Sequence, residues 1–182
     1  MATRKKVLVP LAPGLEEMEA AIIIDVLRRA ECEVVVAGLT GTEVTGSHAI
    51  RFGADRELAG LEGKDFDAVV LPGGMPGAKH LRESPLLLDV VRGAASAGKL
   101  VAAVCAGPTA LEAAGLLAGK RATSYPGHAL PSASYSEERV VVDGNTVTSR
   151  GPGTAFEFAL QLVKILRGEE LAAKLHKAML LA

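Results

Sequence analysis

Apolar residues fall along this chain in two alternating kinds of run. Short blocks, Val7-Leu8-Val9-Pro10-Leu11, Val34-Val35-Val36-Ala37, Ala68-Val69-Val70-Leu71 and Leu100-Val101-Ala102-Ala103-Val104, are bounded by glycine, proline or charged residues. They read as strands buried on both faces. Between them the spacing becomes helical. Glu16 to Arg29 puts Ile22, Ile23, Val26 and Leu27 on one face, with Glu16, Glu17 and Glu19 in the first turns and Arg28-Arg29 in the last, the charge order a helix dipole favours. Leu86 to Ala97 and Thr154 to Leu166 repeat the pattern, the second stopped at Gly168. Glu169 to Leu181 is a final helix with Leu171, Leu175 and Leu180-Leu181 as its apolar stripe. Val140-Val141-Val142, the turn Asp143-Gly144-Asn145 and Thr146-Val147-Thr148 form a hairpin signal. Thr42 to Leu58 is less regular: Val44-Thr45 and Ala49 to Phe52 fit a hairpin or short edge strands, with Gly46 near the turn.

Strand, helix, strand in alternation predicts an α/β fold with a mostly parallel sheet. No repeat, linker or low-complexity tract interrupts it, so a single domain is expected over residues 1–182. Composition sharpens this. Apolar residues make up 49% of the chain but aromatics only 3%, so Ala, Val and Leu build the core. Met18, Met75 and Met179 read as packing residues. A net charge of −1 with both signs interspersed offers no basic field for nucleic acid. No stretch resembles a membrane span or export signal, and the two cysteines, Cys32 and Cys105, are expected as free thiols in the cytoplasm.

Chemistry concentrates where the strands end. Leu100 to Val104 stops at Cys105, and Gly107-Pro108-Thr109-Ala110-Leu111 has the composition of a helix start. A cysteine on such a strand-to-helix turn faces unpaired helix N–H groups, which predicts a stabilised thiolate with a lowered pKa. In open α/β sheets, sites form beyond the carboxyl ends of the strands. Four turns meet that condition: Ala12-Pro13-Gly14 with the glutamates beyond it, Gly73-Gly74, Cys105-Ala106, and Ser149 to Gly153. Together they supply a nucleophile in Cys105, an oxyanion site in the N–H groups of Gly74 and Ala106 beside Gly73, and a glutamate to move a proton. Spacing alone does not select among Glu16, Glu17 and Glu19. Cys32 reads as structural, and His48, His80, His128 and His176 as solvated, with no metal-ligand spacing among them.

Four segments in this order, Ala12 to Glu19, Val69 to Gly74, Ala103 to Leu111 and Thr148 to Thr154, resemble the ThiJ/PfpI superfamily, in the branch that holds the parkinsonism-associated protein and bacterial YajL. The resemblance implies a flavodoxin-like sandwich with helices on both faces of the sheet, an extra carboxyl-terminal helix, a homodimer and no obligatory cofactor. It implies that Glu19 is the buried, protonated partner of the Cys105 thiol, that Gly73, Gly74 and Ala106 form the backbone of the oxyanion site, and that Glu16, His48, Tyr125 and Pro152 line the pocket. His48 stands where the family has an arginine, and Tyr125 where several members have a histidine. The activities implied are glutathione-independent conversion of methylglyoxal-like 2-oxoaldehydes to hydroxy acids and repair of early glycated adducts. The alternative is a redox-sensing chaperone whose cysteine becomes a sulfinate. A PfpI-type cysteine peptidase ranks last, because Tyr125 replaces the histidine of a Cys-His pair.

Overall fold

The computed structural model describes residues 4–181. Its centre is a seven-stranded sheet in which β1 (Lys6–Leu11), β2 (Glu33–Gly38), β5 (Arg56–Glu57), β6 (Ala68–Leu71), β7 (Leu100–Val104), β10 (Val140–Asp143) and β11 (Thr146–Ser149) lie in the order β10-β11-β7-β6-β1-β2-β5. Every neighbouring pair is parallel except the β10–β11 hairpin. A separate hairpin joins β3 (Glu43–Thr45) to β4 (Arg51–Gly53), and a two-stranded ribbon pairs β8 (Arg121–Ala122) with β9 (Ser134–Tyr135). The irregular stretch from Thr42 to Leu58 thus resolves into a hairpin plus one short edge strand.

The helices are α1 (Glu17–Arg29), α2 (Gly77–Glu83), α3 (Pro85–Ser96), α4 (Pro108–Ala113), α5 (Ala155–Arg167) and α6 (Glu169–Ala178). They cover both faces. Side chains alternate along each strand, so Val7, Val9 and Leu11 join one core with Ile23, Leu27, Phe158 and Leu162, while Leu8, Val69 and Leu71 join another with Leu87, Val91 and Leu111. This is the expected α/β sandwich, with the last helix in place. No helix among the described residues is long and apolar enough to cross a membrane.

The apolar pattern predicts no element between Gly77 and Leu86; there α2 forms, with Ala78 and Leu81 buried, and Ser84 then caps α3 through Leu87 N–H at 3.3 Å. Two expectations need correction. The stripe on the last helix stops early. Leu171 and Leu175 pack on the core, but Leu180 lies beyond Ala178, 91% exposed with φ +55°. Met18 and Met75 are exposed rather than packed, at 58% and 49%.

Candidate active site

Because β11, β7, β6 and β1 are adjacent and parallel, the segments that follow Ser149, Val104, Leu71 and Leu11 leave the sheet along one edge. Cys105 is the first residue past β7, held at φ +62°. That left-handed conformation is unfavourable for a residue with a side chain and persists only where neighbours enforce it. Here they do: Cys105 N–H donates to Ser149 O at 2.9 Å, and Cys105 O accepts Tyr125 N–H at 2.8 Å. The chain turns tightly enough that a Cβ on Gly107 would meet the carbonyl oxygens of Val104, Leu71 and Pro72 at 2.9–3.0 Å. Pro108 then opens α4, and Thr109 Oγ1 donates to Ala106 O at 2.7 Å.

Glu19, in the first turn of α1, is fully buried and faces this sulfur. Its Oε2 accepts Gly73 N–H at 2.8 Å, and its Oε1 has no hydrogen-bond partner. Burial pushes the carboxyl up to about 7, against the Gly73 N–H and Cys105 contacts and with a small contribution from the Glu16 charge. Cys105 does not show the lowered pKa expected of it. Burial, reinforced by the Glu19 charge, pushes the thiol up to about 12, and the opposing hydrogen bonds from Gly74 and Ala106 N–H do not offset this. The α4 amino terminus is too small a field to compensate for desolvation. Carboxyl and thiol therefore behave as a pair that releases one proton near neutrality and holds the second far above it. Nucleophilicity depends on where the shared proton sits. With it on Glu19, the orphaned oxygen becomes a donor, and the negative sulfur faces two backbone N–H groups.

The three glutamates divide the work. Glu16 caps α1, its Oε2 accepting Glu19 N–H at 2.7 Å, which fixes the turn that aims Glu19. Glu17 is buried too, but faces the β3–β4 hairpin. It accepts from His48 N–H at 2.6 Å, from Ser47 Oγ at 3.2 Å and pairs with His48 Nδ1 at 3.0 Å. Burial alone would raise Glu17; the His48 bonds outweigh it and bring the carboxyl to about 2. A Cβ on Gly46 would overlap the Glu17 carboxylate, so that turn closes directly on it. Glu16, Glu17 and His48 place potential ligand atoms within 4.8 Å of one another, yet the Glu17 oxygens are already engaged by the hairpin. Glu17 and His48 lie 31 residues apart, so no local spacing reveals this clamp.

Gly73 lies within the pair: a Cβ there would stand 2.6 Å from Cys105 Cβ, 2.8 Å from Glu19 Oε2 and 2.9 Å from Ala106 N. Tyr125 lies against Gly151, where a Cβ would meet its ring at 3.2 Å, and Pro152 begins the turn that leads into α5. His48 is exposed and Glu16 is buried. His80 and His176 are exposed, but His128 is half-buried behind Tyr125, with ring centroids 6.2 Å apart. Sequence reasoning missed the Ser149–Thr154 pair. Ser149 Oγ donates to Arg139 O at 2.7 Å and lies 2.7 Å from Thr154 Oγ1, which accepts Gly151 N–H at 3.1 Å. The signal was a hydroxyl three residues on from a glycine in a loop beside the cysteine.

The chain as a whole is similar to known proteins. A family profile described as the DJ-1/PfpI family matches residues 5–165. Protein dj-1beta of Drosophila melanogaster is 47% identical over 183 residues, covering 98% of each chain. The crystal structure of that DJ-1beta superposes with a TM-score of 0.95 at 46% identity, covering 99% of this chain and 100% of its own. A Caenorhabditis elegans protein named glutathione-independent glyoxalase DJR-1.2 is 36% identical over 186 residues and the full length of both chains. A buried cysteine on a strand-to-helix turn, a glutamate facing it from the first helix and full-length similarity on this scale place the chain in the DJ-1/PfpI family.

Proposed function

We propose that the chain is a cofactor-independent glyoxalase of one domain, acting on methylglyoxal-like 2-oxoaldehydes and their early adducts, with Cys105 as nucleophile and Glu19 as proton carrier. The observation that carries this reading is the buried Glu19 carboxyl, pushed up to about 7 by burial and facing the Cys105 sulfur. A group that titrates near the working pH can both give and take a proton. The Cys105 thiolate adds to the aldehyde carbon, and the carbonyl oxygen becomes a hemithioacetal hydroxyl, taking its proton from Glu19. The Gly74 and Ala106 N–H groups, which bond the sulfur at rest, stabilise the negative charge that develops on the carbonyl oxygen in this scheme. Glu19 carboxylate then removes the hydrogen from that carbon and delivers it to the neighbouring one, while the hemithioacetal hydroxyl gives up its proton and the neighbouring carbonyl oxygen takes one up through an enediol, leaving a 2-hydroxyacyl thioester on Cys105. Water cleaves the thioester, releasing the hydroxy acid and restoring the thiol.

The glyoxalase name carried by the Caenorhabditis elegans relative supports this class of chemistry. A homodimer fits the exposed Met18 and Ile50, which lie on α1 and the neighbouring hairpin; sedimentation giving only monomer at micromolar concentration would refute it. Methylglyoxal consumption and lactate formation by the reduced protein, beside Cys105→Ser, test the activity in thiol-free buffer. Turnover that disappears with the sulfur is expected. Stoichiometric aldehyde loss without lactate would overturn the enzyme reading.

A second reading draws on the same N–H groups: peroxide oxidises Cys105 to a sulfinate whose oxygens they hold, giving a redox-sensing chaperone. Intact mass after mild peroxide tests it, and failure to gain two oxygens at Cys105 would remove it.

A further inference from the structure

A cavity of about 500 Å³ is lined by the loop from Pro126 to Pro131 together with Tyr135, Glu137 and Arg150. Two of its walls continue from segments hydrogen-bonded to the Cys105 backbone. Tyr125, whose N–H binds Cys105 O, begins a turn closed by His128 N–H to Tyr125 O at 3.1 Å, with Pro126 second and Gly127 third at φ +90°, the signature of a type II turn. Arg150 follows Ser149, whose carbonyl holds Cys105 N–H. The rim therefore begins one residue beyond each group bonded to Cys105, within about 7 Å of its backbone.

Among the described residues Arg150 makes no ion pair, although Glu137 lines the same cavity. Its Nη1 donates to Glu137 O at 3.0 Å, while the nearby acids Glu138 and Glu157 are taken by Arg121 and Arg139. Among the described residues no carboxylate lies in ion-pairing range of Arg150, although it is only partly exposed. A partly desolvated guanidinium with free N–H groups is well suited to a carboxylate, which it binds through two parallel hydrogen bonds. Leu130, Pro131 and Tyr135 supply apolar wall beside it, and Glu137, a second lining residue, limits the negative charge the cavity accepts.

We propose that this cavity is a subsite for the far end of the substrate, binding a single carboxylate on Arg150 and an apolar body against Leu130, Pro131 and Tyr135. The chain then prefers 2-oxoaldehydes that carry an acid group beyond the reacting carbons over neutral ones. This rests on the glyoxalase reading for its reaction, but the recognition itself does not.

Two measurements separate them. The first is kcat/KM for 4-carboxyphenylglyoxal divided by that for phenylglyoxal, in wild type, Arg150→Met and Arg150→Glu. A ratio above 1 in wild type, at least five-fold lower in Arg150→Met and lower again in Arg150→Glu, is expected; a ratio unchanged by both variants overturns the subsite. The second uses benzoate as a probe that cannot react, followed through the His128 ring resonances of the Cys105→Ser protein. A saturable shift that disappears when Arg150→Met is added supports the subsite, and no shift overturns it. If neither aldehyde is turned over while the benzoate shift depends on Arg150, the glyoxalase reading fails and the anion site stands.

Discussion

Replacing Glu19 by glutamine separates the carboxyl's proton from its shape. The amide has the same outline, its oxygen keeps the Gly73 N–H at the position now 2.8 Å away, and its NH2 faces the sulfur. What disappears is the titration. Glu19 is wholly buried and takes its proton at about 7, against 4.5 for an ordinary glutamate. Between those values the folded chain holds a proton that the unfolded chain has released, so wild-type stability falls as pH rises through the window and the loss is complete above about 7. At about 1.4 kcal/mol per pH decade, the gap amounts to about 3 kcal/mol. Urea unfolding of wild type and Glu19→Gln from pH 4.5 to 8 measures it, staying below the range where free thiols ionise. The stability difference, Gln minus wild type, is expected to move by about 3 kcal/mol in favour of Gln from the acid to the alkaline end. Glu17 and His48 titrate in both proteins and cancel from that difference. Parallel profiles would refute the reasoning, because they would mean that Glu19 is already ionised in the fold at pH 4.5 or that its burial carries no cost.

Two further outcomes follow from the packing. Gly73→Ala drives a methyl into Cys105 Cβ, Glu19 Oε2 and Ala106 N, all within 3 Å; it should cost about 1–3 kcal/mol and most of the aldehyde turnover, whereas Gly53→Ala, with nothing within 4 Å, should change neither. Thermal melts beside the lactate assay check both, and equal behaviour of the two variants would sink the account. Glu17→Gln exchanges a carboxylate that accepts three hydrogen bonds from Ser47 and His48 for a neutral amide, at about 1–3 kcal/mol near pH 7. Since Glu17 titrates at about 2 in the fold, the stability it contributes is present above 4.5 and is lost as pH falls towards 2. The gap between Glu17→Gln and wild type should therefore close in acid, and a constant gap in acid denaturation would refute the clamp.

Much of the fold was legible because its signals are local. The apolar blocks that became β1, β2, β6 and β7, the Asp143-Gly144-Asn145 hairpin and the Gly168 stop each state their structure within a few residues. The turns after β1, β6, β7 and β11 were likewise readable as one site, since parallel pairing sends them all to the same edge. Only packing decided the rest. Whether Glu16, Glu17 or Glu19 faces the cysteine depends on the rotation of α1 against the sheet: one points back into its own cap, one out to a hairpin about thirty residues on, and one inward. The sign of the Cys105 shift was also out of local reach. The helix start favours a thiolate, but the surrounding core desolvates the sulfur and sets Glu19 beside it, and in so dry a setting burial outweighs a six-residue helix.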